Sequence, residues 1–147
     1  MQAADFQRLL ATPACSRSAH FAVHHVPMRP SSPRRAVVHP SSTDLSTETG
    51  PAGDRSVDNL PDRHWLGSVI PKRHARRSVT RNLLRRQIRE AVMQQRERLP
   101  RGLWLVRLRT PFAREQFPSA ASDALRQAAR AELTQLFGRA GAVAARA

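Results

Sequence analysis

The sequence predicts an α+β fold, a small sheet with three helices packed on it. Three observations lead there. Apolar residues recur at helical spacing in three segments and cluster at strand length in three others. These segments follow one another as helix, strand, strand, helix, strand, helix. Finally, 147 residues suit a single domain, although a long Pro-rich stretch leaves fewer of them for the core.

The first helix rests on Asp5-Phe6-Gln7-Arg8-Leu9-Leu10, where Phe6, Leu9 and Leu10 stand at i, i+3 and i+4. Thr12-Pro13 ends it, because proline cannot continue a helix and restricts the residue before it. Residues 20–26 read as a strand, with Phe21, Val23 and His25 on one face and Ala22, His24 and Val26 on the other. Residues 65–71 form a second strand, closed by Pro71. A basic turn over 72–77 leads into a long helix, capped by Ser78 or Thr80 and running to about Leu99, where Pro100-Arg101-Gly102 stops it. Its buried stripe is Leu84, Ile88, Ala91 or Val92, Gln95 and Leu99. Residues 103–109 are a third strand, ended by Thr110-Pro111. The last helix starts at Ser119 or Ser122, buries Leu125, Ala128, Ala129, Leu133, Leu136 and Phe137, and has Gly138 as a C′ residue.

Between residues 28 and 62 the composition changes. Pro30, Pro33, Pro40, Pro51 and Pro61 sit among Ser, Thr, Gly and Asp, with few large aliphatics. Such a segment cannot bury enough surface to offset its ordering entropy. A structureless connection of this length is unusual inside a compact domain. The expected organisation is therefore 1–27 as the first helix and N-terminal strands of one domain, 28–62 as a disordered Pro/Ser-rich insertion, 63–138 as the rest of that domain, and 139–147 as a frayed tail. Asp44, Glu48, Asp54, Asp58 and Asp62 all fall in the insertion, so the folded remainder is more basic than the net charge of +14 implies.

That charge, with a pI near 11.9, argues for a polyanionic partner. Of 25 basic residues only Lys72 is lysine; arginine presents a planar fork that matches phosphate and stacks on bases. No run of 18 apolar residues exists to span a membrane. The N-terminus carries an acid and lacks the apolar stretch of a signal peptide. Cys15 stands alone, which excludes an internal disulfide framework and points to a reducing, cytoplasmic setting.

The charge is concentrated. Lys72, Arg73, Arg76, Arg77, Arg81, Arg85, Arg86 and Arg89 run without an intervening acid. On the helix, Arg81, Arg85 and Arg89 recur every four residues, with Asn82 and Arg86 in the adjacent row, while Leu84 and Ile88 face the other way. Like charges at that spacing weaken an isolated helix by a few tenths of a kcal/mol per pair, a repulsion that a bound polyanion relieves. Asn82 can donate and accept toward phosphate, a hydrated metal or a base, or stand simply as a solvated residue of the first turn.

Gly67-x4-Lys72-Arg73 followed by Arg81-Asn82-Leu83-Leu84-Arg85-Arg86-x-x-Arg89-Glu90 resembles the signature of the bacterial ribonuclease P protein component. The resemblance runs ungapped from Trp65 through Val92 and takes in the Asp5-Phe6 helix, the Phe21 strand, the last strand and the last helix. It departs at Leu83, where the family pattern has a cation, and at Leu10 and His24, where an aromatic is frequent. It implies an α-β-β-β-α-β-α order with a mixed sheet, a left-handed β-α-β crossover, and a very short extra strand near Ser16-Arg17-Ser18. Such a fold is RNA-binding and like that of ribosomal proteins.

Functionally, the resemblance implies the protein subunit of ribonuclease P, an endoribonuclease that removes the 5′ leader of precursor tRNA. There the RNA subunit carries the chemistry and holds the Mg2+. Arg76, Arg77, Arg81, Asn82, Arg85, Arg86 and Arg89 would then meet the catalytic RNA. Phe6, Phe21 and His24 would line a cleft for the leader, with Lys72 and Arg73 adding phosphate contacts. The partners implied are that RNA and precursor tRNA, with no membrane and no obligate protein partner. The residues agree with a non-catalytic protein: two-metal hydrolysis needs clustered carboxylates, and Glu90 is the only acid near the motif, expected to pair with Arg86 or Arg89. His20, His24 and His25 fit no zinc spacing. Two other readings remain at this stage, a general RNA-binding protein of ribosomal type and a DNA-binding basic zipper. No apolar heptads follow the basic region, and Pro100 interrupts it, which disfavours the zipper.

Overall fold

The structure, a computed structural model, describes residues 2–31, 63–119 and 122–146. From residue 32 onward the insertion expected over 28–62 lies outside the described residues. Helix α1 is Ala3–Ala11, followed by strands β1 Ser16–Arg17, β2 Phe21–Val26 and β3 His64–Val69. Helix α2 is Ser78–Gln95, continued by a 3-10 turn Arg96–Arg98; strand β4 is Gly102–Leu108 and helix α3 is Asp123–Arg146. The α+β class and the element order are those expected, including the two-residue strand at Ser16.

The sheet runs β1-β2-β4-β3. β2 is antiparallel to β1 and β4, and β3 is parallel to β4, so α2 is the crossover that a parallel pair requires. Strand alternation gives the sheet two different faces. Phe21, Val23, Trp104, Val106 and Leu108 point to one side, where α2 and α3 close the main core with Leu84, Ile88, Leu133, Leu136 and Phe137. Val26, Leu103 and Leu105 point to the other and are covered by Leu9 of α1. At the start of β4, Gly102 has φ +135°, and a Cβ there would lie 2.5 Å from the Val26 carbonyl oxygen, so only glycine fits.

Helix ends depart from expectation in two places. The N-cap of α2 is Arg77, which makes no side-chain cap bond, and the helix stops at Gln95 before the 3-10 turn leads to buried Leu99. The frayed tail expected over 139–147 is corrected: α3 continues to Arg146 and buries Ala140, Gly141 and Ala144. Gly138 lies within the helix rather than past its end. Small residues explain the extension, since a Cβ on Gly141 would meet the Arg98 carbonyl oxygen and Leu99 Cδ2 at 3.3 Å. The helix therefore seats closely on the turn before β4 without the large side chains that mark an apolar stripe. At its other end, Ser122 is the cap, its Oγ accepting from the Leu125 N–H at 3.1 Å.

Two buried or half-buried carboxylates fasten the periphery. Asp5 is fully buried and accepts from Gln2 N (2.8 Å), Ser31 N (2.9 Å) and Ser31 Oγ (2.7 Å), joining the start of α1 to the end of β2's outgoing segment. Burial acts to raise its pKa, but these donors and the Arg8 charge hold it below the ordinary carboxylate value. Glu132 of α3 accepts from Ser18 Oγ, from His20 N and from His20 Nδ1, the last two at 2.7 Å, and so clamps the β1–β2 turn. There too the donors outweigh burial and keep the carboxylate low.

Candidate nucleic-acid interface

Helix α2 is anchored by Leu83, Leu84, Gln87, Ile88, Ala91 and Val92, all buried. This anchoring decides what its opposite side presents. Asn82, Arg86 and Arg89 are exposed and Arg85 is half-buried, with Arg85 Nη1 donating to Asn82 Oδ1 at 3.4 Å. Lys72, Arg73, Arg76 and Arg77 are exposed in the preceding turn. Most of the predicted cations are thus exposed on α2 and on the turn that precedes it. Arg81 differs from its neighbours: its Nη1 donates to the carbonyls of Ala75 (2.9 Å) and Arg76 (2.7 Å), so it shapes the turn that carries the other cations. Leu83 points into the core, which accounts for the absent cation there. Among the described residues Glu90 makes no ion pair with Arg86 or Arg89, contrary to expectation, so no acid on the helix neutralises that face.

The residues predicted for the second site, on the α1 side of the sheet, are not all brought together. Phe6 packs half-buried against Leu9, Val26, Leu103 and Leu105. His24 lies below the end of α1, 5% exposed, and donates from Nδ1 to the Thr12 carbonyl at 2.8 Å. Its Nε2 is buried without a partner. Phe21 is corrected: it is fully buried in the main core on the opposite face, among α2 and α3. The alternation of β2 makes this unavoidable, because residues 21 and 24 of one strand cannot face the same side. A second aromatic on the α1 side, beside Phe6, is Trp65. It is half-buried beside Val69, with the Arg63 guanidinium 5.9 Å from its ring centre. Register also places Arg17 and Arg107 opposite Ala22 and hence on this face. The signal for Arg107 was the even-odd alternation of β4, Leu103-x-Leu105-x-Arg107, whereas Arg17 reaches this face only through its pairing with Ala22. Lys72 and Arg73 follow β3 beyond Val69, the end of the strand at which Arg107 is paired.

Burial, then the charges of Arg107 and Arg17, push the His24 pKa down against the opposing effect of its bond to Thr12. Burial and neighbouring His64 lower His25 as well, against its bond to Arg101. Both rings are therefore neutral in the fold, while the unfolded chain takes up protons near 6.5. The folded state binds fewer protons, so stability is fully present above that pH and declines below it. Thermal melts should shift downward as pH falls from 7 to about 5, and His24→Gln should remove part of that slope. A melt independent of pH across this window would show that neither ring is held neutral.

Among the described residues no three His, Cys, Asp or Glu side chains converge as a metal site. No helix among them is long and apolar enough to cross a membrane. A family model described as Ribonuclease P matches residues 1–140. Curated relatives include the ribonuclease P protein component of Bordetella parapertussis, 44% identical over 83 residues, which is 56% of this chain and 63% of that protein. The corresponding protein of Burkholderia mallei is 42% identical over 81 residues, 55% of this chain and 60% of its own length. The matches thus span under two thirds of these relatives. Among solved structures, the Staphylococcus aureus RNase P protein has the same fold, with a TM-score of 0.56, 16% identity, and coverage of 94% of this chain and 90% of that one.

Proposed function

The chain belongs to the ribonuclease P protein family, and on that premise we propose that it is the protein subunit of ribonuclease P, binding the catalytic RNA and the 5′ leader of precursor tRNA. The arginine-rich face of α2, whose one acid Glu90 makes no ion pair among the described residues and which is fixed in orientation by the buried Leu84 and Ile88, carries the proposal. A rigid row of guanidinium groups offsets the mutual repulsion of two RNAs brought together for cleavage. Arg76, Arg77, Asn82, Arg85, Arg86 and Arg89 engage the catalytic RNA, and Arg81 holds the turn in place for them.

In the same reading, the single-stranded leader lies in the groove between α1 and β3. Phe6 and Trp65 supply apolar surface for bases, and Lys72, Arg73 and Arg107 supply charge for phosphates. The protein's own donors do not fit a resident Mg2+, since Glu90 is the one acid on α2. The metal that activates water for phosphodiester hydrolysis belongs to the RNA, and the complex works in the cytoplasm.

Leader cleavage by the catalytic RNA at low magnesium, with and without this protein, is the direct test. The protein should accelerate it at least tenfold; no acceleration would overturn the assignment. Binding of precursor and mature tRNA to the RNA–protein complex tests the groove. With one or two bases held at roughly 1–3 kcal/mol each, the precursor should bind at least several-fold more tightly. Equal affinities would remove the leader from the groove.

A further inference from the structure

A hollow of about 330 Å3 opens between the turn before α2, the first residues of α2 and the segment joining β4 to α3. That volume is at the small end of ligand pockets, roughly 300–1,000 Å3. Its apolar lining includes Ala75, Leu84, Leu125, Phe112 and Phe117. Its cationic lining is Arg73, Arg76, Arg77 and Arg114, with His74 Nε2 accepting from Arg73 Nε at 3.3 Å, and among the described residues no acid lines it. Arg76, Arg77 and Arg114 are exposed and make no ion pair among the described residues.

The aromatic wall is held from behind. The His20 ring stacks on Phe112 at 3.9 Å with 9° between planes, and His20 is itself bonded to Glu132. Phe117 meets Phe112 edge-on at 5.7 Å and is only half-buried. Its own backbone N–H donates to the Ala113 carbonyl at 3.0 Å, which fixes the turn that carries it. An apolar floor, the half-buried Phe117 ring and a cationic rim match a planar base attached to a phosphate.

We propose that this hollow takes one unpaired nucleotide of the bound RNA, its base against Phe117 and Phe112 and its phosphate among Arg76, Arg77 and Arg114. A paired base is excluded because both of its faces are taken by the duplex stack. Phe117 is then a base-stacking residue outside the groove between α1 and the sheet. The site rests on the reading of α2 as an RNA-binding face, with which it shares Arg76 and Arg77.

The test uses the full chain with three labelled probes: a short oligouridylate, a duplex of equal length, and the oligouridylate's abasic counterpart. Phe117→Ala should weaken oligouridylate binding about 5- to 100-fold, the range seen for single stacked bases, with an unchanged salt slope. Duplex and abasic binding should not move. Phe117→Trp should bind oligouridylate at least as well as the parent, which separates stacking from loss of structure. Arg114→Ala should weaken the oligouridylate and its abasic counterpart and lower the salt slope by about 0.7. Equal oligouridylate binding by parent and Phe117→Ala overturns the pocket. Arg85→Ala with Arg86→Ala is the separate control: if it weakens all three probes while Phe117→Ala weakens none, the pocket fails and the RNA-binding face stands.

Discussion

Arg85→Ala combined with Arg86→Ala should weaken binding of the catalytic RNA on the order of a hundredfold at moderate salt. Each charge-assisted bond to phosphate contributes about 1.5–3 kcal/mol, and both side chains lie on the unneutralised side of α2. The salt dependence gives the sharper readout. About six phosphate contacts would give a slope of log K against log salt of roughly −4 to −5, and removing two should flatten it by about 1.4 to 1.8. Neither side chain anchors the helix, so the melting temperature should be unchanged or slightly raised by the relief of like-charge repulsion. An unchanged slope would mean that the RNA approaches another surface. Arg81→Ala should behave differently, lowering stability along with affinity, because its guanidinium holds the carbonyls of Ala75 and Arg76.

The second large effect is on the fold. Trp104→Ala should cost about 3–5 kcal/mol, a large share of the roughly 5–15 kcal/mol that stabilises a domain of this kind. Trp104 is fully buried in the middle of β4, with His25 at 4.3 Å and Phe137 at 6.3 Å between ring centres. Its Nε1 donates to the Pro100 carbonyl at 2.9 Å, holding the turn that delivers the chain from α2 into the sheet. Trp104→Phe keeps most of the apolar surface and loses that bond, and should cost about 1–2 kcal/mol. Denaturant melts of the two variants decide this, and a loss below about 1 kcal/mol for alanine would show that the core closes without the indole.

The parts of this architecture readable in advance are those with a period. The helical rows of α2, the alternation of β2 and β4, and the prolines at the ends of elements set the class, the element order and the cationic surface. What escaped depended on small residues or on pairing. Ala140, Gly141 and Ala144 have too little side chain to announce a packed helix, yet they permit the close seat of α3. The resemblance placed Phe21 in the leader cleft, whereas its position next to Ala22 in the alternation sends it to the other face. Trp65 and Arg17 join Arg107 on the α1 face only through the pairing of strands, which no single segment contains.

The order β1-β2-β4-β3 also bears on how the molecule comes into being at the ribosome. The strand that joins the two halves of the sheet is the last strand to be made. Until residues 102–108 leave the exit tunnel, β2 and β3 have no shared partner, and the main core lacks Trp104, Val106 and Leu108. Chain closure over such a distance is slow. A chain that ends early therefore carries every cation of the basic helix with nothing to hold them in a row. The scaffold that fixes the orientation of α2 is therefore complete only when the last strand has paired with both of its neighbours.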